Sequence, residues 1–286
     1  MAIDYESLKA WSFPEETRTW TWQQTALYAL GVGVGHDPVD ENELRFVYEK
    51  EMKALPTMAV VLTPPGFWLR DPKTGVDWKK VVHGEESLTL HRAIPAEGTF
   101  LTRSRVEEII DKGEGRGALL YMLRDIIDAS TNQPVATIRR TTFARGDGGF
   151  GGPSGPVRQP HPMPERDPDH VCDLPTLPQQ ALLYRLNGDD NPLHADPDVA
   201  KAAGFDRPIL HGLCTFGIAG HAVLKTLCDY DPTRLKRFDV RFSAPVFPGE
   251  TIRTELWVDG TTVSLRARVD DRDAVVLNNG LVELAS

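Results

Sequence analysis

Cysteine is scarce: Cys172, Cys214 and Cys228 are the only three in 286 residues, an odd number with no C-x-x-C spacing. That excludes a disulfide framework and a paired-thiol redox or zinc motif, and the thiols are expected to be reduced, in a cytosolic protein. No apolar run approaches the ~20 residues of a spanning helix, so no membrane span is expected. The opening Met1-Ala2-Ile3-Asp4-Tyr5-Glu6-Ser7 has neither the basic nor the apolar segment of a secretory signal. Positive charge is in deficit, with 32 Lys and Arg against 41 Asp and Glu and a net charge of -9. Broad attraction to a phosphate backbone is disfavoured, and nucleic acid is not an expected partner. Gly31-Val32-Gly33-Val34-Gly35 does not follow the G-x-G-x-x-G pattern of a dinucleotide loop, and no H-E-x-x-H spacing is present. Asp189, His194 and Asp196 therefore give no metal motif, and none is expected.

What is abundant is glycine and proline in one place. Of the 25 residues from Gly146 to His170, 12 are Gly or Pro, a density no helix or central strand tolerates. The chain is expected to divide there, into residues 1–145, a linker at 146–170, and residues 171–286. The two parts resemble each other. Leu27-Tyr28-Ala29-Leu30 matches Leu183-Tyr184-Arg185-Leu186 at an offset of 156 positions. Leu55-Pro56, leading into Met58–Leu62, matches Arg207-Pro208-Ile209-Leu210 at 152, and Pro95-Ala96-Glu97-Gly98-Thr99 matches Pro248-Gly249-Glu250-Thr251 at 153. Each match is short, but the order and the near-constant offset are shared.

In the second half Asp196 is a good N-cap, Pro197 suits a first helical turn and Gly204 a helix stop. From Gly212 to about Cys228 the residues Leu213, Phe216, Gly220, Leu224 and Leu227 recur at helical spacing, with Gly217 and Ala219 leaving that helix thin enough to be buried centrally. Alternating strands follow at about 237–242, 251–258, 262–269 and 274–284, and the first half repeats them at about 87–91, 98–110, 117–127 and 135–143. A buried helix followed by antiparallel strands, twice, predicts an α+β fold of two antiparallel sheets, each wrapped round a central helix.

The densest polar cluster is Asn187-Gly188-Asp189-Asp190-Asn191-Pro192-Leu193-His194-Ala195-Asp196, followed by Pro208-Ile209-Leu210-His211-Gly212. A carboxylate and a neutral imidazole five positions apart can both reach one water molecule, and the backbone N–H of Gly212, at the positive end of the thin helix, can polarise a carbonyl oxygen. Water activation with carbonyl polarisation points to addition to, or elimination from, an acyl group. Turn chemistry alone also accounts for Asp after Asn-Gly. Asp190 is read that way, His211 as a backbone-bonded residue orienting the Gly212 turn, His221 as a packed or surface histidine, and His36-Asp37 as vestigial.

The run Gly188-Asp189-Asp190-Asn191-Pro192-Leu193-His194, with His211-Gly212 after it, resembles the signature of the R-specific 2-enoyl-CoA hydratases, also called hydratase 2 or MaoC-like. His83-Gly84-Glu85 and Gly148-Gly149-Phe150-Gly151-Gly152 resemble the first half of the double-hotdog hydratase unit in peroxisomal multifunctional enzyme type 2. The resemblance implies a double hotdog in which only the second half is catalytic. It also implies Asp189 and His194 as the catalytic pair, Asn191 supporting the site, and Gly212 as donor to the thioester oxygen. The substrate would be an acyl-CoA thioester hydrated in β-oxidation-type metabolism, with CoA part of the substrate and no separate cofactor, by a stand-alone homodimer. At the 156 offset Gly33 stands opposite Asp189 and Pro38 opposite His194, so the first half is expected to be degenerate, with a truncated helix near Met58–Leu62 leaving room for an acyl tail.

Lys236, Arg237 and Arg241 are the candidates for the phosphates of CoA; Arg237 and Arg241 share a strand face by even spacing. The competing readings are a 3-hydroxyacyl-carrier-protein dehydratase, a hotdog thioesterase and a non-catalytic acyl-CoA-binding module. The ending Leu284-Ala285-Ser286 is not a Ser-Lys-Leu peroxisomal address, which leaves the cytoplasm as the expected location.

Overall fold

The computed structural model describes residues 2–286. The first half opens with α1 (Tyr5–Lys9), β1 (Glu16–Trp20), α2 (Trp22–Gly31) and the single-turn helices α3 (Glu41–Leu44) and α4 (Ala59–Leu62). Four long strands follow: β2 (Val81–Leu90), β3 (Gly98–Asp111), β4 (Ala118–Asp128) and β5 (Gln133–Ala144). The second half repeats the plan with β6 (His170–Pro175), α5 (Gln180–Tyr184), α6 (Pro197–Ala202), α7 (Gly212–Leu227), β7 (Leu235–Phe242), β8 (Thr251–Asp259), β9 (Thr262–Val269) and β10 (Ala274–Leu284). Between the halves, residues 146–169 carry neither helix nor strand. None of the described helices is long and apolar enough to cross a membrane.

The strands run in the order β1-β3-β4-β5-β2-β7-β10-β9-β8-β6, so each half contributes five and the second repeats the first outward from the seam. The two expected sheets are thus the halves of one ten-stranded antiparallel sheet, joined where β2 pairs with β7 in the register Glu85↔Arg241, Ser87↔Asp239 and Thr89↔Arg237. Left alone, β2 and β7 would each be an edge with unpaired backbone N–H and C=O groups, and pairing them removes both edges. Alternation sets the two faces. Leu88, Leu90, Phe238 and Val240 are buried against the helices, while Ser87, Arg237, Asp239 and Arg241 face the other way and keep contact with solvent.

Helix α7 is buried along eleven consecutive residues, Cys214 to Leu224, as its apolar circumference requires. Its small residues are contact points for the first half. A Cβ on Gly217 would stand 2.5 Å from Val32 Cγ1, and one on Gly220 would stand 2.5 Å from Thr57 Cγ2. The equivalent helix in the first half, α4, stops after one turn for identifiable reasons. Pro64 and Pro65 follow it, and the carbonyls at its end accept from side chains: Trp20 Nε1 donates to Leu62 at 2.6 Å, and Arg124 donates to Val60 at 2.8 Å and to Thr63 at 3.1 Å. Burial depresses the Arg124 guanidinium to about 10. The three cysteines are buried free thiols.

Because Gly220 lies against the first half, Gly220→Val is expected to destabilise the protein by about 1–3 kcal/mol through overpacking, despite the better helix propensity of valine over glycine. A urea titration that finds the variant as stable as the parent would contradict this packing.

Candidate active site

Helix α5 ends in a tight turn at Arg185–Asn187, and Gly188 then takes a left-handed conformation (φ 106°) that side chains resist. That reversal delivers Asp189 to the surface of the core, half-buried. The loop is pinned on both sides. Asn187 Nδ2 donates to the Tyr184 carbonyl at 2.9 Å, Arg185 Nη2 donates to the Asp190 carbonyl at 3.0 Å, and the Asn191 N–H donates to Asp189 Oδ1 at 3.3 Å. Asn191 caps the single turn Pro192–His194, its Oδ1 accepting from the Leu193 N–H at 3.2 Å. Asp196 similarly caps α6.

His194 is 8% exposed, and its Nδ1–H donates to the Ile209 carbonyl at 2.9 Å. That bond fixes the tautomer and leaves the Nε2 lone pair free. His211, the N-cap of α7, is 1% exposed, and its Nε2–H donates to the Asp189 backbone carbonyl at 3.2 Å. The two imidazoles stack with centroids 3.8 Å apart and planes at 29°, and the Tyr184 ring closes the stack at 5.0 Å from His211. Burial holds both histidines neutral: His194 lies below its ordinary value, and His211 is pushed down to about 4 by burial and by the neighbouring imidazole. Ligand-capable atoms of Asp189, His194 and His211 lie within 4.8 Å of one another. Asp196 is not among them, being occupied as a helix cap.

Gly212 begins α7 beside these groups, its N–H at the helix's positive end. The residue is small for a reason, since a Cβ there would meet Phe242 Cε1 at 3.3 Å. The site thus offers a carboxylate, a neutral imidazole with a free nitrogen, and a backbone donor at a helix terminus.

The MaoC like domain family matches residues 160–279, and the MFE-2 hydratase 2 N-terminal domain matches residues 19–146. The chain is 38% identical to "Enoyl-CoA hydratase 2, peroxisomal" of Arabidopsis thaliana, over 94% of its own length and 92% of that relative's. The chain belongs to the MaoC-like hydratase 2 family. It is also 37% identical to peroxisomal multifunctional enzyme type 2 of Mus musculus, over 95% of its length but only 37% of that longer protein's. Its fold superposes on the crystal structure of a MaoC-like dehydratase from Phytophthora capsici with a TM-score of 0.88 at 32% identity, covering 99% of this chain and 98% of the other.

Of the candidate residues, the family's motif positions Asp189, Asn191, His194 and Gly212 gather at the start of α7, whereas the cations proposed for CoA do not join them. Arg237 and Arg241 lie on the opposite face of the sheet from Phe238 and Val240, which pack against the helices. Arg237 is paired with Asp239 at 2.7 Å and Glu283 at 3.2 Å, and Arg241 with Glu85 at 3.4 Å. Both line a cleft of about 510 Å³ beneath the connecting segment at Arg158–Pro162, while Lys236 lies outside that cleft. Their even spacing was read correctly; which face it served depended on the pairing partner. His211 does bond backbone, as expected, but its stacking on His194 was not visible in sequence. His221 is packed, 3.6 Å from the buried Glu43. His36 and Asp37 are exposed, and Gly31–Gly35 follows a helix, unlike a nucleotide loop, which follows a strand.

Neutral burial makes a pH prediction. His194 and His211, with His83 and His161, have folded values below the ordinary 6.5, so below that pH the unfolded chain holds protons that the native one does not. Their stabilising contribution is full above about pH 6.5 and is lost as pH falls from there toward about 4, whereas the depressed carboxylates Glu43 and Glu86 begin to matter only below about 4.5. Urea midpoints are expected to fall from pH 6.5 to 5, and His211→Asn to flatten that slope. An unchanged slope would contradict neutral burial of His211.

Proposed function

We propose that this chain catalyses the reversible syn hydration of a trans-2-enoyl-CoA to an (R)-3-hydroxyacyl-CoA, with Asp189 and His194 as the reacting pair. The observation that carries the reading is a buried, neutral imidazole with a free Nε2 beside a carboxylate at the head of α7, in a chain of this family. Water held between His194 Nε2 and the Asp189 carboxylate gives up a proton as its oxygen bonds to C3. The electrons of the C2–C3 double bond move toward the thioester carbonyl, whose oxygen accepts from the Gly212 N–H. The pair then returns a proton to C2 on the same face, and the carbonyl reforms.

The first half has Gly33 and Pro38 at the positions opposite Asp189 and His194, so we assign it no second reaction. Its one-turn α4, where the other half has sixteen helical residues, supports a role in accommodating the acyl tail. We assign no CoA contact to Lys236, Arg237 or Arg241. The reading includes a homodimer and a cytoplasmic location, the latter set against relatives whose names say peroxisomal.

Asp189→Asn and His194→Gln are each expected to lower turnover by about 100-fold or more with a native near-UV spectrum, followed as loss of enoyl-thioester absorbance. A folded variant that keeps more than about a tenth of parental turnover removes that residue from the mechanism. Because burial lowers His194, kcat/KM should fall on the acid side with an apparent pKa below 6.5; an acid limb centred above 6.5 would contradict a neutral His194 base.

A further inference from the structure

His83 and Glu86 are three residues apart on β2, so strict alternation would send them to opposite faces. The strand is bulged between them: His83 pairs with Thr142, but Glu85 pairs with Thr141, which leaves Gly84 as the extra residue. The bulge brings His83 and Glu86 to the same inner face as Arg140, which pairs with Glu86 across the strands. Gly84 also suits the bulge by size, since a Cβ there would meet the Thr141 carbonyl oxygen at 3.2 Å.

The three side chains form a locked unit. Glu86 is fully buried, bonded to His83 Nε2 at 2.7 Å and to Arg140 through Nε at 3.1 Å and Nη2 at 3.4 Å. His83 and Arg140 each keep 25% of their side chains solvent-accessible, although they lie on the helix-facing side of the sheet. His83 connects this unit to the other half. The His83 ring packs 4.5 Å from that of Phe242, the ring that lies against Gly212.

We infer that His83 of the first half, held in place by the Glu86–Arg140 pair, is a positioning residue for the hydration: it braces Phe242 and so the Gly212 donor. This rests on Asp189 and His194 being the reacting pair. The degenerate half then supplies one wall of the active site as well as space for a tail.

Removing Arg140 alone would strand a buried Glu86 charge and threaten the fold. The double variant E86Q/R140Q removes both charges and keeps hydrogen-bonding groups. It is expected to fold, to lose about tenfold or more in kcat, and to hold KM for a short trans-2-enoyl-CoA within about twofold. Arg140→Lys, which preserves the charge, should retain kcat within about fivefold of the parent. His83→Leu, which leaves the ion pair intact, should also lower kcat without moving KM, and it carries the test if the double variant does not fold. A folded double variant, or failing that a His83→Leu protein, with kcat within about twofold of the parent overturns the inference. Asp189→Asn assayed alongside separates the two failures: full activity there sinks the reacting-pair reading, whereas loss there with full activity in E86Q/R140Q sinks only this inference.

Discussion

The antiparallel pairing of β2 with β7 is the constraint on which the rest depends. It converts two five-stranded half-sheets into one and leaves no edge at the centre. It also fixes which residues share a side. Leu88, Leu90, Phe238 and Val240 turn toward the helices, and Arg237 and Arg241 turn away. With the register set, α7 has one place to lie, and its glycines admit Val32 and Thr57 of the first half at distances no side chain would allow. The halves are therefore one packed body, and the loop carrying Asp189 and His194 is held against a surface that both supply.

Within that frame burial keeps two imidazoles neutral. Charging either ring in its buried position is unfavourable, which keeps both neutral, and the hydrogen bond from His194 Nδ1 to Ile209 decides which nitrogen stays available. A neutral base beside a carboxylate, facing the start of a helix, suits a reaction in which a proton leaves water and negative charge grows on a carbonyl oxygen. The opposite half keeps the scaffold without counterparts of Asp189 and His194, having glycine and proline at the corresponding positions. Its own helix ends early because Trp20 and Arg124 satisfy its last carbonyls.

Much of this was legible in the chain. The strand alternation, the Asp196 cap, the thin apolar run after Gly212 and the motif from Gly188 to His194 are local signals, and each led to the right element. The continuous sheet was not legible, because which strands meet at an edge is a non-local choice. For the same reason the shared face of Arg237 and Arg241 was legible, but its direction, away from the helices, was not. The His83–Glu86–Arg140 unit was hidden more deeply. A one-residue bulge at Gly84 reverses the facing that alternation predicts, and Arg140 sits fifty-four positions from its partner with no motif around it.

The account holds that chemistry takes place in the second half while the first half receives the acyl tail. The most direct measurement is a crystal structure of the Asp189→Asn protein with a long-chain trans-2-enoyl-CoA. The account predicts C3 of the enoyl group beside His194 Nε2, the thioester oxygen at the Gly212 N–H, and the tail running toward Met58–Leu62. A tail lodged in the second half or left in solvent, or an enoyl group away from the head of α7, would contradict it.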